Sequence, residues 1–354
     1  MSARHLLRVA ATGGLACVSL AVVAARGTAE GSTAASAVGP TAPTWSLHRT
    51  IPTTELTQRR SRKLQASSWA GGIQQTASGA RVRVYVSSTY ADADAVAARW
   101  AGFIAALPHG RELELLEAYV APLADVARIC GSEALGCYGW QQLVSIGEAV
   151  DGITAEEVVR HEYGHHVAAN RLNSPWTAVD WGPKRWASAA NVCARTSGLS
   201  AFPGDQGARY ALNPGEAFAE AYRVSAELGE GASTFSWQLV DPSFSPTPEA
   251  LAAVSADVLR PWAERPARAV QGRFAGRART WTLPLETRLD GDLWATVQSR
   301  GRHSLQLVDG SGRVVGTYAT RSNVHFTICG QRKLELRVRR SSGSAAFTLR
   351  IKAP

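Results

Sequence analysis

The segment His161-Glu162-Tyr163-Gly164-His165 constrains this chain more than any other, because it falls on a clearly marked helix. Thr154 and Glu157 have the spacing of a capping box, in which each side chain bonds the backbone N–H of the other. The pattern therefore predicts a helix from Ala155 to about Asn170. Residues four apart on a helix lie about 40° from each other, so both imidazoles project from one face.

Two imidazoles on one helix face can bind a single zinc ion. Glu162 points roughly 100° around the helix from His161, where its carboxylate can meet a water rather than the metal. Zinc lowers the pKa of such a water from about 15.7 toward about 7, so Glu162 is suited to act as a general base. The alternative is a helix whose histidines satisfy hydrogen bonds in the core. His166 lies on a different face, and we expect a supporting or surface position for it.

A catalytic zinc normally takes three protein ligands and keeps one position open. The third ligand does not follow from the pattern of the metzincins, because Ala168 stands in place of their glycine and Arg171 in place of their third histidine. Asp180 is one carboxylate that could serve instead.

A second helix offers a better candidate for the third ligand. Asn213 is placed as its cap and Pro214 at its first position, and the helix is expected to end near Gly229. Glu216 and Glu220 are four residues apart and share a face, so one can bind zinc while the other braces a ligand. In the alternative interpretation Glu216 folds back onto the cap, as glutamates at the third helical position often do.

The two helices together resemble those of the gluzincin metallopeptidases, and Glu-x-Phe-Ala-Glu-Ala-Tyr is similar to the second-helix motif of their lethal-factor-like branch. The resemblance covers about residues 81–265. It implies that Glu216 is the third ligand of one catalytic Zn²⁺ and that Glu220 supports the site from outside the coordination sphere. It also implies that Tyr210 stabilises a tetrahedral oxyanion, although an ordinary packed tyrosine is an equal alternative.

The N-terminal residues have the character of a secretion signal. Basic residues precede an apolar run from Val9 to Ala25 that is too short to span a bilayer comfortably, which predicts a signal peptide over 1–29. Residues 30–80 are predicted to form a linker or short pro-segment. Its basic run Arg59-Arg60-Ser61-Arg62-Lys63 is either a processing site or a solvated stretch. No later stretch of 18 apolar residues predicts a membrane span.

The cysteines agree with an extracellular location. Without the predicted signal peptide four remain, an even number in a compartment where disulfides persist. Cys130 and Cys137 are close enough in sequence to form a local pair. Cys193 and Cys329 either form a pair that links two domains or are two buried free thiols.

The net charge of +9 does not indicate nucleic-acid binding. It comes from 34 Arg and 4 Lys against 29 acidic residues, and no compact basic helix or nucleic-acid motif collects them. We interpret the excess of arginine as a bias of composition.

Two domains are predicted from the hydrophobic pattern. Residues 81–268 should form an α+β zincin-like catalytic domain, with strands near Leu113 to Val120 and Trp140 to Ile146. Residues 269–354 contain short alternating runs separated by turns, which predicts a C-terminal antiparallel β-sandwich. This part resembles bacterial pre-peptidase C-terminal domains.

The sequence therefore predicts a secreted zinc metallopeptidase, with a protein or peptide substrate whose strand pairs near Trp140 to Ile146. The sandwich would hold the substrate, a matrix component or a cell-surface ligand. One alternative is a non-catalytic secreted binding protein on the same scaffold, although the presence of Glu162 argues against it. Another is hydrolysis of a non-peptide amide or of cell-wall material.

Overall fold

The computed structural model describes residues 46–48, 68–320 and 322–354, with the backbone alone described for 46–48 and 317–320. The predicted signal peptide and the basic run Arg59 to Lys63 lie outside the described residues. Among the helices that are described, none is both long and apolar enough to cross a membrane. The residues that are described cluster as one compact unit.

A six-stranded mixed sheet forms the N-terminal half of this unit. Its strands are β1 (Ser46–His48), β2 (Trp69–Gln75), β3 (Arg81–Ser87), β4 (Glu117–Ala121), β5 (Ala134–Gly139) and β6 (Gln142–Ile146). They lie in the order β1-β5-β6-β4-β3-β2. The pairs β3·β4, β4·β6 and β1·β5 are parallel, whereas β5·β6 and β2·β3 are antiparallel.

The sheet differs from the sequence prediction in three places. Strand β2 lies inside the predicted 30–80 linker, because its Trp-Ala-Gly-Gly-Ile-Gln-Gln sequence gives only a weak strand pattern and is held by pairing with β3. Residues Arg111–Leu115 form a 3₁₀ turn ahead of β4. Trp140 and Gln141 have φ values of 53° and 66° and form the turn between β5 and β6, so the predicted strand begins later, at Gln142.

Eight α-helices are described. They are α1 (Ala93–Ala106), α2 (Leu123–Cys130), α3 (Ala155–Ala169), α4 (Ala178–Trp181), α5 (Lys184–Ala189), α6 (Val192–Ser197), α7 (Pro214–Gly229) and α8 (Pro248–Leu259). Helix α1 packs against β2 and β3, and α3 packs against β5 and β6. The apolar faces of sheet and helices enclose one core.

The two helices that carry the predicted site begin as the sequence predicts. Thr154 and Glu157 form the capping box of α3, and the Asn213 side chain accepts a hydrogen bond from the N–H of Gly215 at the start of α7. The helices pack closely, because a Cβ on Gly164 of α3 would lie only 2.7 Å from the Cα of Ala219 in α7. The glycine thus sets how near the two helices can approach.

The C-terminal region consists of antiparallel sheets, as predicted. The strands are β7 (Arg268–Arg273), β8 (Thr280–Glu286), β9 (Gly291–Gln298), β10 (Gly301–Asp309), β11 (Thr317–Thr320), β12 (Asn323–Ile328), β13 (Lys333–Gly343) and β14 (Ala346–Lys352). Three of them form the sheet β10-β13-β8 and five form β11-β12-β9-β14-β7. Residues of both sheets share a second core, separate from the first.

Two disulfides cross-link the chain. Cys130 bonds Cys137, which confirms the local pair, with 5.8 Å between their Cα atoms. Cys193 of α6 bonds Cys329, which follows β12, with 5.2 Å between their Cα atoms. The second bond therefore connects the helical half of the unit to the C-terminal sheets.

Candidate metal centre

Helix α3 buries the three residues of the central motif. His161 and Glu162 are completely buried, and His165 is 4% exposed. The burial arises because α3 lies between the sheet and α7. The two rings lie 5.1 Å apart between centroids, consistent with their spacing of one helical turn. The two imidazoles are therefore close enough to contact the same atom, and both lie in the interior of the protein.

The carboxylate of Glu216, on α7, lies next to both imidazoles. Its Oε2 is 3.4 Å from Nε2 of His161 and 3.2 Å from Nε2 of His165. One ligand atom from each of the three residues lies within 4.8 Å of the others, and Glu216 is 1% exposed. The carboxylate thus faces the imidazoles rather than lying in the cap position that the alternative interpretation gave it.

Asp180, the other carboxylate considered from the sequence, is on α4 and accepts a hydrogen bond from the Thr177 hydroxyl at 2.7 Å. Within the part of the chain that the structure describes, the cluster that could hold a metal consists of His161, His165 and Glu216 and does not include Asp180.

Glu220 contacts the opposite side of the same histidine. Its Oε2 lies 3.3 Å from Nδ1 of His161, so Glu216 and Glu220 meet different nitrogens of one ring. Arg223 donates to both oxygens of Glu220, at 3.0 and 2.6 Å. Burial alone would raise the pKa of Glu220, but hydrogen bonds from His161 and Arg223 lower it overall, so the carboxylate stays ionised. Carboxylates in this position fix the orientation of a metal-binding imidazole.

Arg223 was not identified from the sequence. It is 2% exposed and also donates to Glu227 and to the backbone oxygen of Ser236. Its spacing of three residues from Glu220 was the available signal, since residues three apart on a helix are neighbours.

The carboxylates around His161 make the centre attractive to positive charge. Burial lowers the pKa of His161, but its hydrogen bonds with Glu216 and Glu220 outweigh that effect and raise the pKa to about 10. The raised pKa reflects the negative charge that these carboxylates place around the ring. A divalent cation would balance part of this negative charge.

Tyr210 also reaches the centre. It lies in a 3₁₀ turn, Tyr210–Leu212, just before α7, and its hydroxyl donates to Oε2 of Glu216 at 2.8 Å. Burial, followed by the nearby charge of Glu216, raises the pKa of Tyr210 well above its usual value. The phenol therefore keeps its proton and remains a hydrogen-bond donor.

His166 is buried, and a surface position for it is wrong. Its Nε2 lies 2.8 Å from the backbone oxygen of Glu112, and its Nδ1 lies 3.1 Å from the Tyr138 hydroxyl. Burial lowers the pKa of His166 to about 4, which keeps the ring neutral. Its contacts tie α3 to the 3₁₀ turn and to β5, on a side of the helix that faces away from the cluster.

The donor set fits a zinc ion. Two imidazole nitrogens and one carboxylate oxygen are the ligands that catalytic zinc sites use, and a fourth position then remains for water. All three side chains are held by buried helices, so the donors are positioned before an ion binds. His161, His165 and Glu216 could therefore hold a metal ion.

Comparison of the chain with known proteins gives little further information about this site. No family model matches the chain, and no curated protein matches it. One similar solved structure is an IMPa metallopeptidase in complex with T-antigen, at 10% sequence identity and a TM-score of 0.13. The match covers 84% of this chain and 54% of that chain, so the chain spans about half the length of that structure. A similarity of this size carries no structural argument.

Proposed function

We propose that this chain is a secreted zinc-dependent metallopeptidase that hydrolyses peptide bonds, with His161, His165 and Glu216 holding one catalytic Zn²⁺. The observation that carries the proposal is the meeting of these three donors from two helices, with Glu162 one residue from the first of them. When bound, zinc acts as a Lewis acid and makes water acidic enough to ionise near neutral pH. The resemblance to gluzincins of the lethal-factor-like branch agrees with the same donor set.

We assign Glu162 the role of general base. It is fully buried beside β5, where a Cβ on Gly136 would lie 2.9 Å from its Oε1. The backbone of β5 therefore passes close to the carboxylate, and a side chain at position 136 would press on both Val158 and Glu162. Glu162 would take a proton from the attacking water and later give one to the leaving amine.

We assign Tyr210 the role of stabilising the oxyanion that forms during hydrolysis. Its protonated hydroxyl now donates to Glu216, and the same donor can turn to the negatively charged oxygen that forms when water attacks a carbonyl. Glu220 keeps the ring of His161 fixed during the reaction, because it contacts Nδ1 while Glu216 contacts Nε2. Arg223 in turn holds Glu220 through two hydrogen bonds.

An extended substrate would lie along the sheet edge nearest to Glu162. The sequence suggested pairing near Trp140 to Ile146, but β6 already pairs with β5 on one side and β4 on the other. Strand β5 pairs with β6 on one side, and on its other side with only the three-residue strand β1. We assign substrate pairing to this second side of β5.

We further propose the boundaries 81–268 for a zincin-like catalytic domain and 269–354 for an accessory sandwich, with β2 added to the first. The sandwich resembles pre-peptidase C-terminal domains and would hold a matrix or cell-surface ligand. Two disulfides are compatible with secretion.

A peptide-cleavage assay tests the proposed function. We expect purified protein to cut members of an unbiased peptide library, to lose this activity when dialysed against a zinc chelator, and to regain it with stoichiometric Zn²⁺. Zinc binding without cleavage of any peptide would favour the binding-protein alternative. Cleavage that persists without metal would contradict the proposal.

A further inference from the structure

Strand β1 lies on the sheet edge assigned to the substrate. It runs parallel to β5, with Ser46 opposite Ala134 and His48 opposite Gly136. Gly136 is the residue that adjoins Glu162, and Cα atoms of β1 come within 8 Å of Cα atoms in α3. The backbone groups of β5 that an incoming peptide needs are thus paired with the chain's own residues.

Strand β1 is attached in a way that favours this competition. It is joined to β2 by the 20 residues between His48 and Trp69, since 69 − 48 − 1 = 20. A competitor on the same chain acts at an effective local concentration on the order of 1 mM, above that of most free peptides. The pairing can still be displaced, because it is only three residues long and parallel pairing is slightly less stable than antiparallel pairing.

We propose that the edge of β5 is a docking surface for an extended peptide and that Ser46–His48 is its built-in occupant, which holds the full chain in a latent state. The latent part of this inference rests on the proposed peptidase function. Docking itself requires only that β5 recognise a strand through backbone hydrogen bonds. Removal or displacement of the N-terminal segment would free the surface.

The proposal is tested with a variant that prevents β1 from pairing. Leu47→Pro with His48→Pro removes two backbone N–H donors from β1, and proline is poorly tolerated within a paired strand. Ala34→Pro with Ala35→Pro is the matched control, because it places two prolines in the same N-terminal segment outside β1. The thermal unfolding midpoint of each variant shows that the fold is intact. If the β1 variant does not fold, a protease site inserted between β1 and β2 and cut after folding replaces it.

Binding is measured first, with Glu162→Gln added to every protein so that no peptide is cut. The probe is a fluorescent peptide of residues 44–50, Thr-Trp-Ser-Leu-His-Arg-Thr. We expect the β1 variant to bind it about 10-fold more tightly than the control, and backbone amides of 134–139 to exchange hydrogen about 10-fold faster in the β1 variant. Equal affinity and equal exchange in the two proteins would overturn the docking surface.

Measuring peptide hydrolysis shows whether a failure lies in the latent state or in the proposed peptidase function. With Glu162 intact, we expect kcat/KM for a library peptide to rise about 10-fold in the β1 variant relative to the control. Equal kcat/KM in two active proteins would overturn latency and leave the peptidase assignment in place. Tighter peptide binding by a β1 variant that cuts nothing would support the docking surface while contradicting both latency and the peptidase assignment.

Discussion

At the scale of single residues, Glu162 and Glu216 are both buried carboxylates near the same histidines, yet we propose different tasks for them because their positions differ. Glu216 contacts both Nε2 atoms, whereas Glu162 lies against the backbone of β5. A ligand should be needed for zinc binding, and a base should be needed only for turnover.

We therefore expect Glu162→Gln to retain about one zinc per chain and to lower kcat by about 10²- to 10⁴-fold or more, because it removes the base without removing a ligand. Zinc content and peptide turnover are measured on the same preparation. Glu156→Gln, an exchange of a partly exposed glutamate on the same helix, is the control and should leave both unchanged. Near-normal turnover in Glu162→Gln would refute the proposed base.

The two glutamates of α7 give a second test. Glu216→Ala should leave a two-histidine site that loses zinc on dialysis, whereas Glu220→Ala should weaken zinc affinity or activity by only about 10- to 100-fold. Glu220→Gln is the control that keeps a hydrogen-bonding side chain beside Arg223. If Glu220→Ala empties the site and Glu216→Ala keeps its metal, the ligand has been assigned one helical turn too early. Equal, mild losses would point away from α7.

At the scale of elements, the contact between α3 and α7 determines how His161, His165 and Glu216 lie relative to one another, because the histidines are on α3 and the glutamate is on α7. Gly164 allows this contact, since its missing side chain would meet the backbone of Ala219. We expect Gly164→Ala to lower the free energy of unfolding by about 1–3 kcal/mol, the usual cost of overpacking, and to weaken zinc binding.

Gly102→Ala is the matched control for that exchange. Gly102 is also inside a helix, α1, and a Cβ there would meet no atom within 4 Å. Alanine has the higher helix propensity, so this variant should gain up to about 1 kcal/mol. Both are measured by denaturant unfolding of the metal-free proteins. Equal effects at the two positions would contradict the role given to the helix contact.

Local signals explain which elements the sequence could predict. The caps Thr154 and Asn213 depend on neighbouring residues only, and both helices begin where these caps place them. Strand β2 could not be predicted in this way, because two glycines interrupt it and its stability comes from pairing with β3. The residues of the site also differ in whether the sequence could predict their positions. The spacing of His161 and His165 is a property of one helix, whereas the contacts of His166 with Glu112 depend on tertiary packing.

At the scale of the whole molecule, the two disulfides close loops of very different length. Cys130 and Cys137 are 7 residues apart in sequence, and Cys193 and Cys329 are 136 apart. In the chain-entropy account, the longer loop restricts the unfolded chain more, by 1.5RT ln(136/7), or about 2–3 kcal/mol.

We therefore expect the double exchange Cys193→Ala with Cys329→Ala to lower the free energy of unfolding by about 2–3 kcal/mol more than Cys130→Ala with Cys137→Ala. Denaturant unfolding under non-reducing conditions measures the difference. Equal losses would show that the link between the helical half and the C-terminal sheets restricts the unfolded chain less than its length implies.

Metal content tests the central claim most directly. Zinc is measured by mass spectrometry after dialysis of the purified full chain, of His161→Ala with His165→Ala, and of His325→Ala, a histidine in the C-terminal sheets. The account predicts about one zinc per chain in the native protein and in His325→Ala, and less than about 0.1 in the double variant. A native protein without zinc, or a double variant that keeps it, would contradict the account.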